Sequence, residues 1–266
     1  MKKTLRLVLA TIVALTSLAT QAQLKFCGTE VSAGVTYTSS DFTQIKSGSF
    51  NLNSSGILLT IDNLVVEHNG QIFSLSGTND ITVKFIGESS IKRTGLATSE
   101  FFFNTPDADT RNIIITGGKL TINNTYGTGA AFAFFKNANI LFDDCNISAT
   151  ISGNNPTKDV YSFVRCANQT KSATSRVEIK NSTIVGHTFR DIDQLILNGS
   201  NFVFPKSYAY LDYYNDAGTL KYLVSDGVQV TDFTIMPSQN FDDGDVNHDG
   251  SVNGADVTYL YNILLN

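Results

Sequence analysis

Four ten-residue segments of this chain superimpose without gaps on one pattern: apolar-x-apolar, four polar or small residues, then apolar. They are Ile113 to Ile122 (IIITGGKLTI), Ile140 to Ala149 (ILFDDCNISA), Val177 to Gly186 (VEIKNSTIVG) and Leu195 to Phe204 (LILNGSNFVF). A looser fifth copy, Ile81 to Ile91, needs one inserted residue. Ahead of each copy lies another short apolar stretch: IFSL at Ile72, FFF at Phe101, FAFF at Phe132, YSFV at Tyr161 and, weakly, TF at Thr188. Phe102, Phe134 and Phe163 within them are spaced 32 and 29 residues apart. Each unit thus offers three short strands with period-2 apolar positions, joined by Gly, Asn, Asp and Ser. No helical pattern alternates with them, so they are not βαβ units. A three-strand unit that buries its inward residues only by stacking on copies of itself describes a right-handed parallel β-helix, an all-β fold. A β-sandwich is the alternative, but it does not require one register shared by all four copies. Asn112 and Asn139 precede equivalent strands and are expected to share an amide ladder. The longest loops are Pro106 to Asp109 and Gly153 to Asp159.

Over roughly Ser47 to Pro205 these repeats are similar in kind to those of the pectate-lyase-like β-helix proteins. That similarity is one of pattern and implies the fold, with no particular activity. After Pro205 the register changes to a tyrosine-rich meander that runs to Pro237, with NDAG at Asn215 and SDG at Ser225 as turns. It is expected to cover the end of the stack, where the last strands would otherwise expose unpaired edges. The expected organisation is a signal peptide at 1–22, a β-helix at 23–204, a capping meander at 205–237 and a separate module at 238–266.

That last module carries the sharpest chemistry. The twelve residues from Asp245 to Asp256 place oxygen side chains at positions 1, 3, 5, 9 and 12 and a glycine, Gly250, at position 6. A hard cation such as Ca²⁺ takes six to eight oxygens, about 2.3 to 2.6 Å away, and needs a tight turn to gather them. Asp245, Asn247 and Asp249 would supply side-chain oxygens, Ser251 its carbonyl, Asn253 a water-mediated contact and Asp256 the closing carboxylate. The run D-x-N-x-D-G-x-V-N-x-x-D followed at once by an apolar helix closely resembles one repeat of a type I dockerin, over about the last 22 residues. The resemblance implies Ca²⁺ on the residues just named and a cohesin-like protein partner along the following helix. There Val257, Leu260, Tyr261 and Leu264 follow i, i+3, i+4 and i+7 and form one apolar stripe. A complete dockerin has two such repeats, whereas this chain carries one.

Met1 to Ala22 has Lys2, Lys3 and Arg6, an apolar run from Leu7 to Ala19 and a small-residue cleavage site, the pattern of a secretory signal peptide. The expected location is therefore extracellular or at the cell surface, and no later stretch is long and apolar enough to span a membrane. Removing that segment leaves eight more acids than bases, which offers no basic stripe for nucleic acid. Cys27, Cys145 and Cys166 allow at most one disulfide.

Catalytic candidates are sparse. Asp143-Asp144-Cys145 superficially resembles the Asp-Asp-Cys of polygalacturonases, but the Asn-Thr-Asp that accompanies it in that family is missing and Gly186-His187-Thr188 falls too far downstream. By register these aspartates occupy the turn held by Thr116-Gly117 and Lys180-Asn181 in neighbouring copies. Asp107, Asp109 and Arg111 form a charged loop cluster. His68 and His187 stand without a nucleophile or metal partner at a recognisable spacing, and His248 is filler between calcium ligands. In YAYLDYY, alternation puts Tyr208, Tyr210 and Tyr214 on one face, where aromatic rings can stack on sugars. The leading expectation is a secreted or surface β-helix protein, non-catalytic, glycan-associated or adhesive, with a calcium-binding docking tag. The competing readings are a small polysaccharide lyase or glycoside hydrolase and a purely structural surface protein.

Overall fold

The computed structural model describes residues 23–77, 79–93, 100–104, 111–124, 129–135, 138–151, 161–167, 175–205, 209–213, 221–238 and 252–264. The described residues are all-β apart from one helix, Gly254–Leu264, and most of their strand pairing is parallel. Three parallel ladders run through the middle of the molecule. The first stacks Phe73–Ser76, Phe102–Asn104, Gly129–Phe135, Tyr161–Ala167 and Phe189–Arg190. The second stacks Ile81–Ile86, Arg111–Thr116, Ala138–Asp143, Arg176–Lys180 and Gln194–Asn198. The third stacks Glu88–Arg93, Lys119–Asn124, Asn146–Ile151 and Thr183–His187. The long strand Leu58–His68 joins the last two, its first half pairing with Ile81–Ile86 and its second with Glu88–Arg93.

The register is the one the repeats imply. Ile113 pairs with Ile140, Ile140 with Val177 and Val177 with Leu195. The looser copy carries its extra residue just before the corner, where Phe85 adds a third buried side chain to Ile81 and Val83. One equivalence differs from the phenylalanine spacing: Phe102 pairs with Phe132, not Phe134, and Phe132 pairs with Val164. In FAFF both phenylalanines of a period-2 strand are equally apolar, so composition could not choose between them; the ladder hydrogen bonds did.

The second and third ladders meet at a corner of one repeated kind. Asn63, Gly87, Gly117, Asp144, Asn181 and Gly199 all have positive φ there, the left-handed conformation that only Gly, Asn and Asp adopt cheaply. The backbone N–H of Gly117 donates to Asp144 O at 3.1 Å, and that of Asp144 to Lys180 O at 3.0 Å, so the corners stack as the strands do. At Gly117 a Cβ would lie 2.7 Å from the Phe85 carbonyl oxygen, so glycine is required by contact as well as by φ.

Inward residues of all three ladders form one core. Its axis is aromatic: Phe73, Phe101, Phe132, Phe163 and Phe189 make successive edge-to-face contacts with ring centroids 5.4 to 5.8 Å apart. Among the described residues antiparallel pairing is confined to the two ends. Gln23–Phe26, Thr29–Val31, Thr36–Tyr37 and Ile45–Leu52 cover the first. At the other, Lys221–Ser225 pairs with Phe189–Arg190, and Asp232–Pro237 inserts between Thr183–His187 and Ser200–Phe204. The SDG turn is present between Lys221–Ser225 and Val228–Gln229, with Asp226 and Gly227 both at positive φ. The three cysteines are free thiols, Cys145 and Cys166 buried and Cys27 partly so.

Candidate functional site

Asp143 and Asp144 sit where the repeat register puts them, at the corner. Asp143 ends its strand between Thr116 and Lys180, and its Oδ1 forms an ion pair with Lys180 Nζ at 3.2 Å. Asp144 is exposed and makes the left-handed turn itself. Cys145 is buried behind them; its N–H donates to Ser182 Oγ at 3.2 Å, and burial pushes its thiol up to about 12. A thiol so displaced is not a nucleophile at neutral pH. Each member of the Asp-Asp-Cys run therefore serves the structure, as an ion pair between strands, a turn and a plug.

The outward face of the second ladder is more informative. Asn139 Nδ2 donates to Asn112 Oδ1 at 3.2 Å, and Asn112 Nδ2 donates to Asp80 Oδ2 at 2.9 Å, which is the expected amide ladder, extended by an aspartate. Arg176 continues the column beside Asn139 and pairs with Glu178 at 2.7 Å. Beside that column run Ile114, Leu141 and Glu178. Asn112, Asn139, Arg176, Ile114, Leu141 and Glu178 line a shallow groove of about 310 Å³.

A second groove, of about 230 Å³, lies on the third ladder between Thr150, Val185, His187, Phe204, Asp232 and Thr234. Here the structure supplies a partner the sequence did not show. His187, buried, has its Nδ1 2.7 Å from Asp232 Oδ1 and 3.0 Å from the Thr231 carbonyl. The two residues are cross-strand neighbours only because Asp232–Pro237 enters antiparallel to Thr183–His187, and no local spacing announces that pairing. His68 is different: burial, with Arg93 beside it, holds its imidazole below the usual histidine range.

Of the six calcium-loop positions only Asn253 and Asp256 are described; Asp245, Asn247, Asp249 and Ser251 lie outside the described residues, as do Asp107, Asp109 and His248. Asn253 is the N-cap of the helix, its Oδ1 accepting the Ala255 N–H at 2.7 Å. Asp256 reaches back and accepts the Asn253 N–H on Oδ2 at 2.7 Å, the reciprocal arrangement of a capping box. Although Ala255 and Val257 are exposed, Asp256 is only 3% exposed. No group of three or more His, Cys, Asp or Glu able to hold a metal occurs among the described residues. On the helix stripe Val257 and Tyr261 are 69% and 61% exposed; the side chains of Leu260 and Leu264 lie outside the described set. Tyr210 falls on Ala209–Tyr213, paired with Lys221–Ser225, whereas Tyr208 and Tyr214 lie outside the described residues. Compared with known proteins, the chain matches no protein-family model, no curated protein and no solved structure.

Proposed function

We propose that the three ladders are the faces of a short right-handed parallel β-helix, secreted or surface-held, that binds an extended glycan without cleaving it and carries a calcium-organised docking tag. The observation that carries the binding reading is the stacked face of the second ladder. Its Asp80, Asn112, Asn139 and Arg176 column offers amide, carboxylate and guanidinium groups at the strand spacing, beside the aliphatic Ile114 and Leu141. Repeating polar groups flanked by CH surface suit a repeating, ring-built polymer. Against catalysis stand the structural roles that already occupy Asp143, Asp144 and Cys145. Lyase and hydrolase chemistry both need a placed acid or base with room for the scissile bond.

A glycan array followed by depolymerisation assays on every bound polysaccharide tests this. Binding without product is the expected result, weakened by Arg176→Ala or by Tyr210→Ala according to which face is used. Product formation that disappears in the Asp143→Asn, Asp144→Asn double variant would replace the binding reading with the small lyase or hydrolase.

For the tag, the donor set is all short oxygen ligands, which suits Ca²⁺ and no softer ion. Asn253 and Asp256, positions 9 and 12 of the loop, lie at the N-cap and in the first helical turn, where a loop that closes on a helix must have them. Asp245, Asn247, Asp249, Ser251, Asn253 and Asp256 would hold the ion, which would tie the loop to the helix start. The exposed Val257 and Tyr261 are then free for a cohesin-like partner. Titration calorimetry should find one Ca²⁺ per chain with an affinity on the order of 10⁻⁴ to 10⁻⁶ M, lost in Asp245→Ala or Asp249→Ala.

A further inference from the structure

The main paths of the two sheets of described strands end in four strands, leaving aside the two-residue side strands Thr36–Tyr37 and Val228–Gln229, and three of the four carry the devices that keep an edge from recruiting another strand. Thr29–Val31 contains Glu30, Ala209–Tyr213 contains Asp212, and Ser200–Phe204 has a bulge between Phe202 and Phe204 and is followed by Pro205. The fourth, Gln194–Asn198 (QLILN), has no charge, no proline and no bulge. No strand among the described residues pairs with its outer edge.

Its core side is unfinished as well. The inward positions that it continues are Ile113, Ile140 and Val177, and Ile115, Phe142 and Ile179, all 2% exposed or less. Leu195 and Leu197, next in those two columns, are only partly buried. The backbone directions follow from the ladder: Gln194 N–H donates to Ser175 O and Asn198 O accepts from Asn181 N–H, both at 3.1 Å. Because bonding alternates along a parallel strand, residues 194, 196 and 198 face the neighbour and the N–H and C=O groups of Leu195 and Leu197 face outward.

We propose that this edge accepts an extended segment of another polypeptide as an added strand. The adjoining ladders decide the occupant. Beyond Phe189–Arg190 the first ladder continues through Lys221–Ser225 and Ala209–Tyr213, and beyond Thr183–His187 the third continues through Asp232–Pro237 and Ser200–Phe204. The open edge is therefore a notch, overrun on both sides at about 4.8 Å per strand. The end of a second copy, with its own overrunning strands, does not fit into it edge to edge; a single extended segment does. The fitting segment has apolar residues at i and i+2 to lie on Leu195 and Leu197, and free N–H groups along one edge. Strand addition here is independent of glycan binding and of calcium.

The test uses the full mature protein and a synthetic peptide of residues 176–186 (RVEIKNSTIVG), whose Val177 and Ile179 already pack on Leu195 and Leu197 from the other side. In free protein the amides of Leu195 and Leu197 should exchange rapidly by nuclear magnetic resonance; saturating peptide should slow both. Two N-methylated peptides, one blocked at Val177 and Ile179 and the other at Glu178 and Lys180, distinguish the edges: one should lose binding and the other keep it. Leu197→Pro, which removes an outward N–H and no ladder bond, should weaken binding about tenfold or more. Unchanged exchange at saturating peptide, or equal binding of both methylated peptides, overturns the proposal. So do amides already protected in the monomer, which would mean that the chain covers its own edge, or protected only in a concentration-dependent dimer.

Discussion

The ladders and the C-terminal helix are stabilised in opposite ways. Every inward residue of the central copies is covered by the copies before and after it, so Ile140 and Phe142 are 2% and 0% exposed. The helix Gly254–Leu264 shows Val257, Tyr259 and Tyr261 to solvent, and two reciprocal hydrogen bonds between Asn253, Ala255 and Asp256 hold its first turn. A helix of three turns is marginal in water by itself. A stack held by its neighbours transmits damage, whereas a module held by its own cap contains it.

The widest separation of the two regions should come from Ile140→Asp, which places an unpaired carboxylate in the middle of the stack at a cost of at least about 4 kcal/mol. Thermal unfolding followed by circular dichroism should show the β signal lost across several copies, not one. Gly117→Ala should cost about 1 to 3 kcal/mol through φ strain and through the Phe85 carbonyl 2.7 Å from the new Cβ; a change in midpoint below about 1 °C would mean that the corner contributes little to stability. Asn253→Ala should cost about 1 kcal/mol, visible as reduced helix signal with the β transition unmoved. A shifted β transition would instead tie the helix to the stack. Smallest in free energy, Cys145 should resist thiol reagents at mildly alkaline pH in the folded chain and react only on unfolding, since its thiol is pushed up to about 12.

The two ends of the ladders differ just as usefully. Four strands cover the first, while the described strands of the tyrosine-rich meander cover the second on two ladders and none of them pairs with the outer edge of Gln194–Asn198. Sequence periodicity anticipates a cap because the register stops at Phe204, but it does not say which ladder each capping strand joins. That choice depends on where Asp232–Pro237 inserts, which is also why the His187–Asp232 contact has no signature in the sequence.

What the sequence determined by itself is the repeating part. A period-2 strand whose inward residues must meet identical neighbours leaves one register open, and Ile113, Ile140, Val177 and Leu195 fall into it. The corner was legible for the same reason, since Gly, Asn and Asp are the residues that tolerate positive φ, and they alone occupy it at Asn63, Gly87, Gly117, Asp144, Asn181 and Gly199. The amide ladder at Asn112 and Asn139 followed directly. Only the tertiary structure decided the non-repeating features: Phe102 beside Phe132, Asp143 in an ion pair with Lys180, His187 against Asp232, and an outer edge of Gln194–Asn198 that no strand among the described residues pairs with. Repeats carry their long-range pairing in local pattern because each strand's partner is a copy of itself. An antiparallel strand arriving from 45 residues away has no such copy, and its register is selected by packing and hydrogen bonding in the assembled end.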